Sequence, residues 1–194
     1  MSRLIMWNTL TLDGFFDGIK SFELEWHRYI WGEELERFSL EQLRSADGLI
    51  FGRVTYQGMA SYWKAAEGEV AHFMNHLPKV VFSRTLERTD WANTTLVKDN
   101  LQQTISRLKR QGNRNLFVFG SGDLCAQLIQ QDLFDEYRLG LAPVVLGRGK
   151  PLFGRDLGRM RMKLVETRPL SVGCVILRYE PLRIHDEPGS ENHR

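Results

Sequence analysis

Four short runs, 3–10 (RLIMWNTL), 47–51 (DGLIF), 79–82 (KVVF) and 115–119 (NLFVF), are apolar at consecutive rather than alternate positions. A strand reads this way when both its faces are covered, so the runs predict a sheet with helices on each side. Helical patterns separate them, at 39–46, 69–77 and 100–111. The last carries Leu101, Ile105 and Leu108 at helical spacing and ends in basic residues, which suit the negative pole of a helix. Residues 94–98 read as a further strand and 124–131 as a helix. After that helix, EYRLGLAPVVLG, KLVETRPL and VGCVILRYEP follow without another helix between them, and SVG reads as a hairpin turn. The pattern predicts an α/β fold of three α-β-α layers, with a mixed, mostly parallel sheet and antiparallel strands at its C-terminal end. Pro143, inside a strand pattern, calls for a bulge or an edge position.

A chain of 194 residues that is 42% hydrophobic can bury a full core, so residues 1–181 are expected to form a single domain. The polar segment 182–194 reads as a disordered tail. Lys+Arg 26 against Asp+Glu 24 is nearly balanced, and no basic stripe with interleaved aromatics appears, so nucleic acid is not an expected partner. No apolar run approaches a membrane span, and MSRLIMWNTL turns polar too soon for a signal peptide; the expected setting is cytoplasmic, away from membranes. The two cysteines, Cys125 and Cys174, lack metal-ligand spacing and suit a reducing compartment. Cys125 sits where a helix dipole lowers a thiol's pKa, although a small buried apolar role fits it better.

One strand-to-helix junction is unusual. LFVFGSGDLCAQLI places Gly120, Ser121 and Gly122 where a turn needs at most one glycine, so the second suggests a close approach to the backbone from outside. Free N–H groups and a helix dipole there make an anion site. The competing reading is a tight turn with Ser121 as N-cap and Asp123 complementing the dipole. Two more strand ends carry similar chemistry: Gly52, Arg53 and Thr55 in IFGRVTYQGM, and Ser83, Arg84 and Thr85 in VVFSRTL. Ligands of open α/β sheets bind beyond the carboxyl ends of strands. Backbone N–H groups for a pyrophosphate, with guanidiniums and hydroxyls for a monophosphate, fit a phosphorylated dinucleotide. Neither arginine-bearing strand end offers an acid for a ribose 2′-OH, which points to NADP (NADPH) rather than NAD. The glycine motif also lies far from the first strand, against an ordinary Rossmann arrangement.

These residues resemble the dihydrofolate reductase-like superfamily, and most closely the reductase domain of the riboflavin-biosynthesis deaminase-reductase and its stand-alone relatives. TLDGFF, LIFGRVTYQGM, KVVFSRTL, VFGSGDLCAQLI, LFDEYRLGLAPVVLGRGKPLF and CVILRYEP carry the likeness, in the family's order, from about residue 3 to 181. The resemblance implies a dihydrofolate reductase-like fold and NADPH-dependent reduction of a small-molecule substrate. It places Gly52, Arg53, Thr55, Ser83, Arg84, Gly120, Ser121, Gly122, Asp123 and Leu124 around the cofactor, and Thr9 and Leu10 beside the nicotinamide. Asp13 would begin a mobile loop, and the late antiparallel strands would form a homodimer. Arg148 and Lys150 could meet an anionic substrate or be solvated loop charges.

Departures from the family bear on the chemistry. The acid that holds a pterin in dihydrofolate reductases has no single counterpart in 21–38; Glu23, Glu25, Glu33 and Glu34 are candidates, and Trp26, Tyr29 and Trp31 either wall a flat substrate or belong to the core. The catalytic residues therefore stay unassigned, with the proton coming from water or an acid within 17–34. No H-x-E with P-C-x-x-C occurs, which excludes the zinc deaminase chemistry. His72 and His76 share a helix face without a third ligand, so no metal site is expected. The expected activity is hydride transfer to a pterin- or pyrimidine-like heterocycle. The alternatives are the riboflavin-pathway 5-amino-6-ribosylaminouracil phosphate reductase and a non-catalytic NADP-binding protein.

Overall fold

The computed structural model describes residues 1–154 and 157–183. In chain order its strands are β1 (Arg3–Thr11), β2 (Phe15–Asp17), β3 (Ala46–Gly52), β4 (Lys79–Phe82), β5 (Thr94–Val97), β6 (Asn115–Phe119), β7 (Glu136–Ala142), β8 (Lys150–Pro151), β9 (Met162–Pro169) and β10 (Val175–Pro181). Its helices are α1 (Glu33–Arg44), α2 (Arg53–Trp63), α3 (Glu69–His76), α4 (Leu101–Gln111) and α5 (Gly122–Gln130), with a 3-10 turn at Glu25–Tyr29 before α1. Eight strands form one sheet in the order β5-β4-β3-β6-β1-β7-β10-β9, and β2 pairs with β8 separately. The first six are parallel; β10 runs antiparallel to β7 and to β9, so the edge strand β9 again points the way of the first six.

The consecutive apolar residues serve two layers. Ile5, Trp7, Leu49, Phe51, Val81 and Phe117 point to one face, where α1, α2 and α3 cover them. Leu4, Met6, Ile50, Leu116 and Val118 point to the other, against α4 and α5. Parallel register aligns these rows, with Ile5 beside Phe117 and Leu49 beside Phe117. Lys79, which opens β4, is buried and donates to the carbonyls of Met74, Asn75 and Leu77 at 2.7–3.0 Å, so it caps the end of α3.

Two expectations need correction, and one helix was not read from the sequence. α1 starts at Glu33, six residues before the apolar pattern suggests, because Glu33, Glu34 and Glu36 fill its first turn and complement the dipole. The residues after β3 form α2, whose Gly58 and β-branched start hide it in the sequence; burial of Tyr56 and Ala60 holds it. At Gly58 a Cβ would run into the Phe22 ring. Pro143 lies just beyond β7, which stops at Ala142, so it is neither in a bulge nor on an edge. The expected tail falls from residue 184 onward outside the described residues; before that point, the N–H of Leu182 donates to the Arg161 carbonyl at 2.9 Å. Among the described residues no helix is long and apolar enough to cross a membrane.

Candidate functional site

The carboxyl ends of β1, β3 and β6 are laced together. The N–H of Gly52 donates to Ser121 Oγ at 2.8 Å, and the N–H of Gly120 donates to Asn8 Oδ1 at 2.8 Å. Gly120 and Ser121 are both left-handed, with φ of 54° and 61°. A Cβ on Gly120 would also stand 3.1 Å from Thr55 Cγ2, so glycine meets both demands there. The second glycine has an internal cause: a Cβ on Gly122 would fall 2.7 Å from the Phe16 ring. The close approach inferred from outside is thus made first by the chain's own β2.

Ser121 occupies the N-cap of α5, but its hydroxyl serves Gly52 and not its own helix. No side chain caps α5, and none caps α2 or α4, whose N-caps are Gly52 and the left-handed Asn100. All three helix starts border one cavity of about 910 Å³. Their uncapped N–H groups and dipoles make this end of the cavity attractive to an anion. Arg53, Arg84 and Lys98 line it as well, and among the described residues none of the three pairs with a carboxylate. Arg53 donates to Gln57 Oε1 at 3.1 Å. Ser83 accepts from the N–H groups of Thr85 and Leu86, which turns its loop back toward the site.

The other flank has different chemistry. Thr9 Oγ1 and His27 Nε2 share a hydrogen bond of 2.8 Å. Burial draws His27 down to about 4, against the pull of Asp17, so the ring is neutral at physiological pH. Asp17 is buried and accepts from the N–H groups of Gly18, Phe22 and Glu23 at 2.9–3.1 Å. Lys150 donates to Ser21 Oγ at 2.7 Å and pairs with Asp17 at 3.5 Å. The cavity also has an apolar lining, from Ile30, Leu35, Met59, Trp63, Val70 and Met74, which belong to one core cluster with Trp7 of β1.

Of the residues expected around a cofactor, Thr9, Gly52, Arg53, Thr55, Ser83, Arg84, Gly120, Ser121, Gly122, Asp123 and Leu124 all border this cavity. Leu10 does not; its side chain turns to the opposite face of β1 and packs in the core with Leu124 and Leu128. None of Glu23, Glu25, Glu33 and Glu34 lines the cavity. Glu34 instead accepts from the hydroxyl of Ser171 and, at 2.6 Å, from its N–H, and together they hold its carboxyl below the usual range. Trp31 borders the cavity, Trp26 is in the core and Tyr29 is on the surface. Asp13 accepts from Thr11 Oγ1 and from the N–H groups of Leu146 and Gly147, tying the β1–β2 turn to the loop before β8. Arg148 is exposed and off the cavity. Cys125 donates to the Gly120 carbonyl at 3.0 Å, and burial pushes its thiol up to about 12, the reverse of activation by a dipole. The rings of His72 and His76 stack on the surface, 4.2 Å apart.

Lys98, Asn100, Phe16 and His27 were not legible as site residues. Lys98 and Asn100 follow β5 as Arg84 follows β4, so the strand-end rule that found the arginines extends to them. For His27 no sequence signal exists, because only the fold brings it to Thr9.

Known proteins place this architecture. The sequence model of the RibD C-terminal domain family matches residues 3–176. A Bacillus subtilis protein, YyaP, is 31% identical over 91% of this chain and 94% of its own. Among solved structures, dihydrofolate reductase from Enterococcus faecalis, complexed with NADP(H), superposes with a TM-score of 0.64 at 13% identity, over 93% of this chain and 96% of that one. The diaminohydroxyphosphoribosylaminopyrimidine deaminase/5-amino-6-(5-phosphoribosylamino)uracil reductase of Thermotoga maritima gives 0.66 at 13% identity, over 93% of this chain and 57% of that one. With its mixed sheet, its closing antiparallel strands and this match along nearly its whole length, the chain belongs to the RibD C-terminal domain family, a reductase family of dihydrofolate reductase-like fold.

Proposed function

We propose that this chain is an NADPH-dependent reductase that delivers a hydride to a small pterin- or pyrimidine-like heterocycle. The observation that carries the reading is the convergence of three uncapped helix starts and two guanidiniums that meet no carboxylate among the described residues on one cavity with a partly apolar lining. Those residues fit the cofactor: N–H groups of α5 and α2 suit a pyrophosphate, and Arg53 and Arg84 suit a 2′-phosphate. When bound, NADPH supplies the hydride from C4 of its nicotinamide. The chain's part is orientation and exclusion of water. Thr9 and His27 hold one hydrogen between Oγ1 and Nε2, which fixes the Thr9 hydroxyl at the boundary between the two flanks. Asp17 is occupied by three N–H groups and Lys150, so its oxygens are not free to serve a substrate, and we assign the proton to water. Loss of NADPH absorbance across pterins, pyrimidines and quinonoid heterocycles is the direct assay, and turnover of at least one is expected. Tight NADPH binding with no turnover on any of them would replace the reductase by a nucleotide-binding protein.

Assembly belongs to the same proposal. β9 is a sheet edge that exposes Leu164 and Val165, and Val172 is exposed in the turn to β10. Apolar edge strands are usually covered, and a homodimer across β9 and β10 covers this one. Light scattering at micromolar concentration is expected to give twice the chain mass; a monomer mass removes the dimer.

A further inference from the structure

Resting on the reductase reading, we infer that the substrate of this chain carries no phosphate: it is an unphosphorylated, flat heteroaromatic or quinonoid ring with an apolar substituent. It thereby differs from the phosphoribosyl compound in the name of the Thermotoga enzyme. Charge is divided unevenly around the cavity. Arg53, Arg84 and Lys98 all stand beyond β3, β4 and β5, on the flank assigned to the cofactor. On the β1 flank, Lys150 is the one cation lining the cavity among the described residues, and it is already engaged by Asp17 and Ser21. A phosphate could reach only the remaining N–H of Lys150, and the Asp17 carboxylate already offsets its charge. Asp17 would remain beside the incoming dianion, because three backbone N–H groups fix its carboxylate.

His27 adds no charge, since burial keeps it neutral. The apolar part of the lining, Ile30, Leu35, Met59, Trp63 and Met74, packs in one cluster with Trp7 of β1; it suits an apolar arm and cannot pair a charge. An ionised group moved from water into such a place without a partner is strongly disfavoured, whereas an apolar arm gains free energy with every methylene buried. The half-exposed Trp31 at the mouth gives a flat ring a face to stack on.

The test is a matched set of three probes: 6-hydroxymethylpterin, its phosphate monoester and 6-phenylpterin. Each is titrated by fluorescence into the protein saturated with NADP, and each is assayed for turnover with NADPH. The expected result is that the ester binds about tenfold or more weaker than its parent, and the phenyl compound about tenfold tighter. In Lys150→Ala the ratio of ester to parent should stay within about twofold, because Asp17 already offsets the Lys150 charge. An ester that binds as tightly as its parent, or that loses its affinity selectively in Lys150→Ala, overturns the inference. Binding and turnover separate the two claims. The expected affinity order with no NADPH consumption removes the reductase and leaves the substrate preference standing, whereas turnover that favours the ester does the opposite.

Discussion

Alanine at Arg53 or at Arg84 is expected to weaken NADPH binding about ten- to a hundred-fold while leaving NADH nearly unchanged. Both guanidiniums border the cavity, and among the described residues neither has a carboxylate to satisfy it. A charge-assisted hydrogen bond to a partly exposed phosphate contributes about 1.5–3 kcal/mol, which sets that range. Two arginines on one phosphate need not add, so the double variant should lose less than the product of the single losses. Both side chains are exposed, so the fold should tolerate either change. Salt should narrow the wild-type preference, because charges at this depth are screened. Fluorescence titration of the four proteins with each cofactor reads the ratio directly. If both single variants keep the wild-type NADPH/NADH ratio, the arginines are only solvated charges and the preference for NADP loses its basis.

What the sequence made legible was whatever depends on burial and strand ends. β4 and β6 start and stop where their apolar runs do, because a strand covered on both faces leaves no polar position to blur its limits. The strand-end arginines, glycines and hydroxyls were readable for the same reason: a βα junction has few residues, and each faces the ligand side. What stayed hidden depends on contacts far apart in the chain. Gly122 is shaped by Phe16, more than a hundred residues away, and Ser121 serves Gly52 where local rules would have it cap its own helix. α2 was obscured by a glycine that leaves room for Phe22. The substrate flank depends on Asp17, Ser21, His27 and Lys150, whose partnership is set by the loop that β2 and β8 hold in place. No periodicity announces such a cluster.

The largest stability effect is expected at Glu136, far from the cavity. β7, β10 and β9 set Arg138, Arg178 and Glu166 in one row across the sheet, with Arg138 opposite Arg178 and Arg178 opposite Glu166. Glu136, two residues before Arg138 on β7, is fully buried and touches three guanidiniums: Arg138 at 2.5 Å, Arg178 at 2.9 Å and Arg3 at 3.1 Å. Arg3 also has Glu180, and Arg178 also has Glu166, whereas Glu136 is the carboxylate that holds the buried Arg138. Glu136→Ala therefore strands one buried cation, which costs about 3–5 kcal/mol. For a chain of this size that lowers Tm by about 6–20 °C. Replacing both partners, Glu136→Met with Arg138→Met, should recover much of the loss, because no charge is then left behind. Burial works against the ionised Glu136, but the guanidiniums of Arg178 and Arg138 overcome it and hold the carboxyl below its ordinary value. A carboxyl depressed on folding stabilises the native state above its unfolded pKa of about 4.3, and that contribution fades as pH falls through the folded value. Wild type should thus lose stability on acidification through this range, and Glu136→Gln should lose less of it. Denaturant melts at pH 7 and at pH 3.5 measure both effects. A Glu136→Ala variant within about 1 kcal/mol of wild type, or a double variant no more stable than the single, would show that Arg138 finds compensation elsewhere and that the row is not the anchor of these strands.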